Sequence, residues 1–109
     1  MANEINELSK KVKKFIEERD WVKYQTPKDL AIALVLEAGE VLEPFRFKNN
    51  FNKEETAKEL ADVLNIVLCL ADIIEIDLIY WFNQKLMENE LKYPIEKVYG
   101  KNIKYTEIK

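Results

Sequence analysis

Leu30-Ala31-Ile32-Ala33-Leu34-Val35-Leu36-Glu37-Ala38-Gly39-Glu40 is an uncharged run that ends in two carboxylates three positions apart. The pattern returns, in the other order, as Glu59-Leu60-Ala61-Asp62 followed by the uncharged run 63–71. Read as helices, each i, i+3 pair projects from one face. Carboxylates set among apolar residues are costly to bury unless they are paired or bind a metal. Four of them facing one another without a partner repel and take up protons. A hard divalent cation resolves the conflict, because Mg²⁺ takes oxygen ligands from carboxylates, water and substrate phosphates. The competing reading is that all four are surface acids on ordinary amphipathic helices.

Working outward, the first pair belongs to a helix expected over 26–43. Thr26 caps it, Pro27 suits its first position and Asp29 completes a capping box. Pro44 ends it, since the residue before a proline avoids helix. A loop over 45–51 follows, with Asn49-Asn50 as its turn. The second pair lies in a helix expected over 52–75, capped by Asn52 with Glu55 three residues on. This helix is apolar on most sides, which predicts burial on most sides. So short a chain has little interior for it, which points to cover from a second subunit. Before these, Ile5, Leu8, Val12, Phe15, Ile16 and Arg19 recur at helical steps and predict a helix over 3–20. Lys10, Lys11, Lys13, Lys14, Glu17 and Glu18 form its solvated face. Asp77 caps a fourth helix to about residue 91, and Pro94 stops it. The tail, with Tyr99, Ile103, Tyr105 and Ile108, reads as an ordered arm packing on a neighbour. The expectation is an all-α protein, one domain over 1–109, with four helices and an oligomeric assembly.

Composition narrows the function. Apolar residues at 48% and charged residues at 34% describe a soluble globular chain, and 2 Gly with 3 Pro are too few for a turn-rich all-β fold. A net charge of −3 without a basic patch predicts no nucleic-acid surface. The polar start Met1-Ala2-Asn3-Glu4 predicts no signal peptide. Asp62, Asn65 and Asp72 break the longest apolar run, so no membrane span is expected. A cytoplasmic location follows as the default. Cys69 is alone, with no disulfide partner, and reads as a small buried hydrophobe. With no histidine, His-based acid–base catalysis, Ser-His triads and most zinc sites are excluded.

The motif Glu37-x-x-Glu40, 18 residues, Glu59-x-x-Asp62 resembles the metal motif of the MazG-like, all-α nucleotide pyrophosphohydrolases. Glu18-Arg19-Asp20-Trp21, Thr26-Pro27-Lys28-Asp29-Leu30-Ala31, Lys92-Tyr93-Pro94 and Lys104-Tyr105-Thr106 resemble the dCTP pyrophosphatase branch of that family. The similarity runs over about 15–108. One such motif is weak; several in the same order are specific. The resemblance implies a four-helix, bundle-like protomer assembled as a homodimer or homotetramer. It implies Mg²⁺-dependent hydrolysis of nucleoside triphosphates to monophosphate and pyrophosphate, with Mn²⁺ as a substitute ion. A dCTP or modified cytosine nucleotide is the first candidate substrate, and clearance of surplus or non-standard nucleotides the expected role.

Carried over residue by residue, the resemblance makes Glu37, Glu40, Glu59 and Asp62 the metal-binding and catalytic acids. Which of them is the general base stays open, and Glu43 divides evenly between supporting the site and plain solvent exposure. Trp21, Gln25 and Phe47 match the base pocket; the alternative for Trp21 is a core or interface residue. Lys85 and Asn89 match phosphate and sugar contacts, and Lys104 and Tyr105 can reach a phosphate from the tail. For Lys85 and Asn89 the alternative is a solvated face, and for Tyr105 a structural role. The chain departs from the family at Gln25 (commonly His), Phe47 (often Trp) and Ile66 (commonly Tyr), which bears on base preference, and, on the fourth helix, at Glu90 (commonly basic). The competing class is a non-catalytic helical oligomerisation or metal-binding module. A carboxylate di-iron bundle is poor, since those sites want Glu-x-x-His.

Overall fold

The protein is described by a computed structural model covering residues 3–47 and 49–109. The start Met1-Ala2 and position 48 of the expected loop lie outside the described residues. The secondary structure described is helix and turn: α1 (Glu4–Glu18), α2 (Pro27–Glu40), α3 (Lys53–Ile73), α4 (Leu78–Lys92) and the short α5 (Ile95–Val98). Single 3₁₀ turns occupy Val22–Tyr24, Glu43–Phe45 and Tyr105–Glu107. The chain divides into two compact units, Met1–Ile76 and Asp77–Lys109.

Each long helix starts at a side-chain cap. The Oδ1 of Asn3 accepts from the Asn6 N–H at 2.7 Å, and the Thr26 hydroxyl from the Asp29 N–H at 3.2 Å. Asn52 Oδ1 accepts from the Glu55 N–H at 2.9 Å, and Asp77 Oδ1 from the Tyr80 N–H at 3.1 Å. Each bond satisfies an N–H that the helix itself leaves unpaired. The C-terminal ends are less obvious in the sequence. α1 and α3 both close with a Schellman motif built on a residue other than glycine. Asp20 at φ 55° and Glu75 at φ 57° take the left-handed position. The Trp21 N–H then reaches Ile16 O, and the Ile76 N–H reaches Ala71 O, each at 3.1 Å. α3 therefore stops two residues before the expected 75. α2 is also shorter than expected: beyond Glu40 the chain tightens into i→i+3 bonds, and Pro44 sits in the next 3₁₀ turn.

In the first unit, α3 packs against α2 and, to a lesser extent, α1. The core is small: Leu30 from α2 with Leu68, Cys69 and Ala71 from α3. The expected burial of α3 on most sides is not met within the chain. Leu60 stays 54% exposed, and on α2 Val35 and Leu36 are 72% and 65% exposed. One chain of this length offers too few neighbours to cover both helices. Among the described residues no helix is long and apolar enough to cross a membrane.

In the second unit, α4 runs from its Asp77 cap to Lys92, and Pro94 follows. Tyr93 meets Tyr105 edge-on at 6.5 Å between ring centroids, which ties the tail to the end of α4. The Lys92 ammonium lies 4.9 Å from the Tyr105 ring centre, a cation–π contact.

Asn52→Ala is expected to cost about 1 kcal/mol and Asn52→Gly only a few tenths, because the cap sets the start of α3. Urea denaturation should show a lower midpoint for the alanine variant with an unchanged slope.

Candidate functional site

The spacing of the acids becomes a constellation where α2 meets α3. Carboxylate oxygens of Glu37, Glu59 and Asp62 all lie within 4.8 Å of one another. Glu37 and Glu59 are half-buried; Asp62 is exposed. Glu40, one helical turn beyond Glu37, is exposed and stands outside this trio. The expectation of four buried, facing carboxylates thus becomes three converging acids and one outlier. Glu40 and Asp62 stay solvated because the α2 and α3 faces are open at those positions.

None of the four acids has a basic partner within ion-pair distance among the described residues. Each cation that pairs does so locally: Lys10–Glu7, Lys23–Asp20, Arg46–Glu43, Lys58–Glu54 and Lys85–Glu88. Glu43 therefore joins a surface pair with Arg46 at 3.6 Å. The unrelieved charge registers at Glu59. Loss of solvation, then the charges of Glu40, Asp62, Glu37 and Glu55, holds its carboxyl above the ordinary carboxylate range. Glu40 is thus near enough to be felt although it is not one of the three.

The donor set is all carboxylate oxygen, with no nitrogen or sulfur ligand. That chemistry suits a hard divalent ion, and the charge of such an ion would offset the repulsion among the acids.

The residues expected to meet substrate are spread over both units. Trp21 packs edge-on against Phe15 at 5.9 Å and remains 44% exposed. Phe47 has φ 62° and is 94% exposed, with the Arg46 guanidinium 5.0 Å from its ring centre. An aromatic residue in the left-handed region is strained. Gln25 is half-buried. It lines a cavity of about 590 Å³ that Val12, Ile16, Leu68, Cys69 and Asp72 also line, but Trp21 and Phe47 do not. In the second unit Lys85 pairs with Glu88 at 3.3 Å. Asn89 is half-buried, and its backbone carbonyl accepts from the Tyr93 N–H at 2.9 Å. Lys104 and Tyr105 lie at the last 3₁₀ turn.

Cys69 is buried as expected, and burial followed by the nearby Asp72 charge pushes its thiol up. The cavity wall formed by Cys69 and Asp72 was not singled out in the sequence as a site. The available signal was Asp72, a charge at the end of an otherwise uncharged run.

No family model matches the chain. Among known proteins, dCTP pyrophosphatase 1 of Mus musculus is 35% identical over 104 residues, 86% of this chain and 61% of that protein. The Homo sapiens protein of the same name is 34% identical, with 86% and 61% covered. A pyrophosphatase from Archaeoglobus fulgidus DSM 4304, solved as a crystal structure, aligns with a TM-score of 0.79 at 35% identity. That alignment covers 86% of this chain and 95% of the archaeal one. The chain spans about three fifths of the length of the mammalian relatives and nearly all of the archaeal relative.

The raised proton affinity of Glu59 has a sign that can be tested. A carboxyl whose folded value lies above its unfolded value contributes stability at low pH, and that contribution is lost as pH rises through the folded value. At neutral pH without metal, Glu59→Gln should therefore be more stable than the wild type. The difference should close as pH falls below the ordinary carboxylate range. Thermal unfolding across pH, with and without Mg²⁺, checks this: added Mg²⁺ should raise the wild-type Tm and raise that of Glu59→Gln less.

Proposed function

The chain belongs to the MazG-like, all-α nucleotide pyrophosphohydrolases, and from that premise we propose that it hydrolyses nucleoside triphosphates to monophosphate and pyrophosphate. The observation that carries the reading is the convergence of Glu37, Glu59 and Asp62 within 4.8 Å, with no basic partner among the described residues. Those three residues hold a divalent ion, Mg²⁺ with Mn²⁺ as a substitute. When bound, the ion neutralises phosphate charge and lowers the pKa of a coordinated water.

The remaining chemistry falls to side chains. Glu40 is free of the converging trio, exposed, and close enough to feel the same field. It takes the proton of the water that attacks at the α–β phosphate link, as general base. Gln25, with Trp21 and Phe47, supplies contacts to the base; its amide offers both a donor and an acceptor. Lys85, Asn89, Lys104 and Tyr105 contact phosphate or sugar. The printed names of the mammalian relatives favour dCTP, or a modified cytosine nucleotide, as the substrate. The role is clearance of surplus or non-standard nucleotides in the cytoplasm. The whole of 1–109 acts as one pyrophosphohydrolase domain, supported by the archaeal relative matched over 95% of its length.

Release of pyrophosphate from a nucleotide panel, with and without Mg²⁺, tests the reading. Asp62→Asn should lose at least about 100-fold in kcat and also the stabilisation by Mg²⁺. Glu40→Gln should lose rate to a similar extent while Mg²⁺ still raises its Tm. Metal-independent pyrophosphate release, or wild-type rates in Asp62→Asn, would refute the assignment.

The protein also works as a homodimer or homotetramer. The support is the apolar surface left open on α2 and α3 at Val35, Leu36 and Leu60. Burying each such side chain is worth roughly 1.5–3 kcal/mol, so leaving several in water on so small a unit is costly. Light scattering at micromolar concentration should give at least twice the 12.9 kDa chain mass; a compact monomer would refute it.

A further inference from the structure

Asn65 is the one amide side chain in the largely apolar stretch 60–73 of α3, and it is half-buried. Asp62, one turn before it, and Asp72 are exposed and keep their water. Asn65 keeps only part of its own. Its side-chain oxygen accepts from the Cys69 thiol at 3.9 Å, a long contact. Among the described residues its side-chain nitrogen donates to nothing. Taking an amide out of water costs free energy unless its hydrogen bonds are replaced. A leucine here would bury more apolar surface and favour the helix more. Nothing in the packing of α3 therefore calls for an amide at this position.

Its place on the helix does give a reason. Asn65 follows Asp62 by three residues, on the same side of α3 as that member of the converging acids. Three residues rise about 4.5 Å, a step comparable with that from a metal-bound phosphate to the next group of a nucleotide. The Cys69 contact also sets which way the amide faces. Cys69 is buried, and burial followed by the Asp72 charge pushes its thiol up, so the thiol keeps its proton and donates it. Within the amide only the oxygen accepts. With that oxygen turned to Cys69, the two N–H bonds of the side chain are left for an acceptor outside the helix.

Resting on the nucleotide reading above, we propose that the Asn65 side-chain amide donates a hydrogen bond to an oxygen of the bound nucleotide, on its α-phosphate or its sugar, and that Cys69 is the positioning residue that turns the amide toward it. Glu37, Glu59 and Asp62 only accept hydrogen bonds, so they need an ion between themselves and a phosphate. Asn65 meets the substrate directly, without the ion. Its neutrality matters here. A lysine at this position would pair with Asp62 and compete with the metal, whereas an amide donates without neutralising the acids. The acids and their ion thus hold one part of the nucleotide and Asn65 the next. Two fixed points orient the link under attack better than one.

Kinetics, thermal unfolding and calorimetry on the full chain test this. Asn65→Ala and Asn65→Leu should each lose about tenfold in kcat/KM for dCTP, the scale of one lost hydrogen bond. Asn65→Asp should lose more, because a repelling charge replaces the donor. Asn65→Leu should keep at least the wild-type Tm, and Mg²⁺ should still raise the Tm of the alanine and leucine variants. Cys69→Ala should lose part of the rate and Cys69→Ser, which keeps a donor, less. In an Asn65→Ala background Cys69→Ala should cost nothing further. Binding of dCMP should also weaken about tenfold in Asn65→Ala. An equal loss for 2′,3′-dideoxycytidine monophosphate assigns the acceptor to the phosphate, and a loss confined to dCMP assigns it to the sugar. Wild-type kcat/KM in Asn65→Leu, or a loss matched by a fall in its Tm, would overturn the Asn65 contact. Additive losses in the double variant would overturn the role of Cys69. Absence of pyrophosphate release from every nucleotide would instead sink the pyrophosphohydrolase reading, and dCMP binding by wild type and Asn65→Ala would still decide the contact.

Discussion

Charge that no described residue neutralises sets the terms for the first unit. Glu37, Glu59 and Asp62 converge where α2 meets α3, and Glu40 adds its field from one turn away. The chain has cations to spare, but those that pair do so three or four residues along their own helix or turn, at exposed positions. Such surface pairs contribute little to stability. A lysine directed at the acids would relieve the repulsion and close the site to a metal. The arrangement thus carries a local repulsion that an external cation would relieve.

The same two helices carry a second unmet demand. The core of the first unit rests on a few residues of α2 and α3, while Val35, Leu36 and Leu60 lie open. The acids are held at a boundary, half-buried on one side and exposed on the other. Partial loss of solvation at this boundary, together with the charges of its neighbours, is what raises Glu59. Cover over the apolar faces by another copy would deepen the burial of this boundary. Self-association would then be coupled to metal affinity, since removing solvent strengthens both the repulsion among the acids and their attraction to a cation.

Much of this was legible in the sequence, and the pattern of what was not is physical. Helix starts are local: Thr26, Asn52 and Asp77 each bond a backbone N–H three residues on, so the cap can be read without knowing the fold. The acid pairs are legible for the same reason, since i, i+3 spacing guarantees a shared face. Helix ends were harder. Asp20 and Glu75 close α1 and α3 in a conformation usually signalled by glycine, and nothing local marks Glu75 for it. The outward, left-handed Phe47 was equally hidden. Which acids converge depends on how α2 lies against α3, and the α1–α3 cavity depends on a pairing of helices distant in sequence. Spacing along one helix does not encode either.

The polar residues of α3 look different once the helix is placed. In the sequence, Asp62, Asn65 and Asp72 are interruptions that rule out a membrane span. On the helix they fall in line, with Cys69 between them and its thiol 3.9 Å from the Asn65 side-chain oxygen. Asp62 and Asp72 are exposed, Asn65 is half-buried and Cys69 buried, so the stripe runs from solvent into the packed face and out again. One end of the stripe carries the acids suited to a cation, and the other faces a cavity with an acceptor at its wall. The order of the stripe makes α3 the element that joins the converging acids to that cavity.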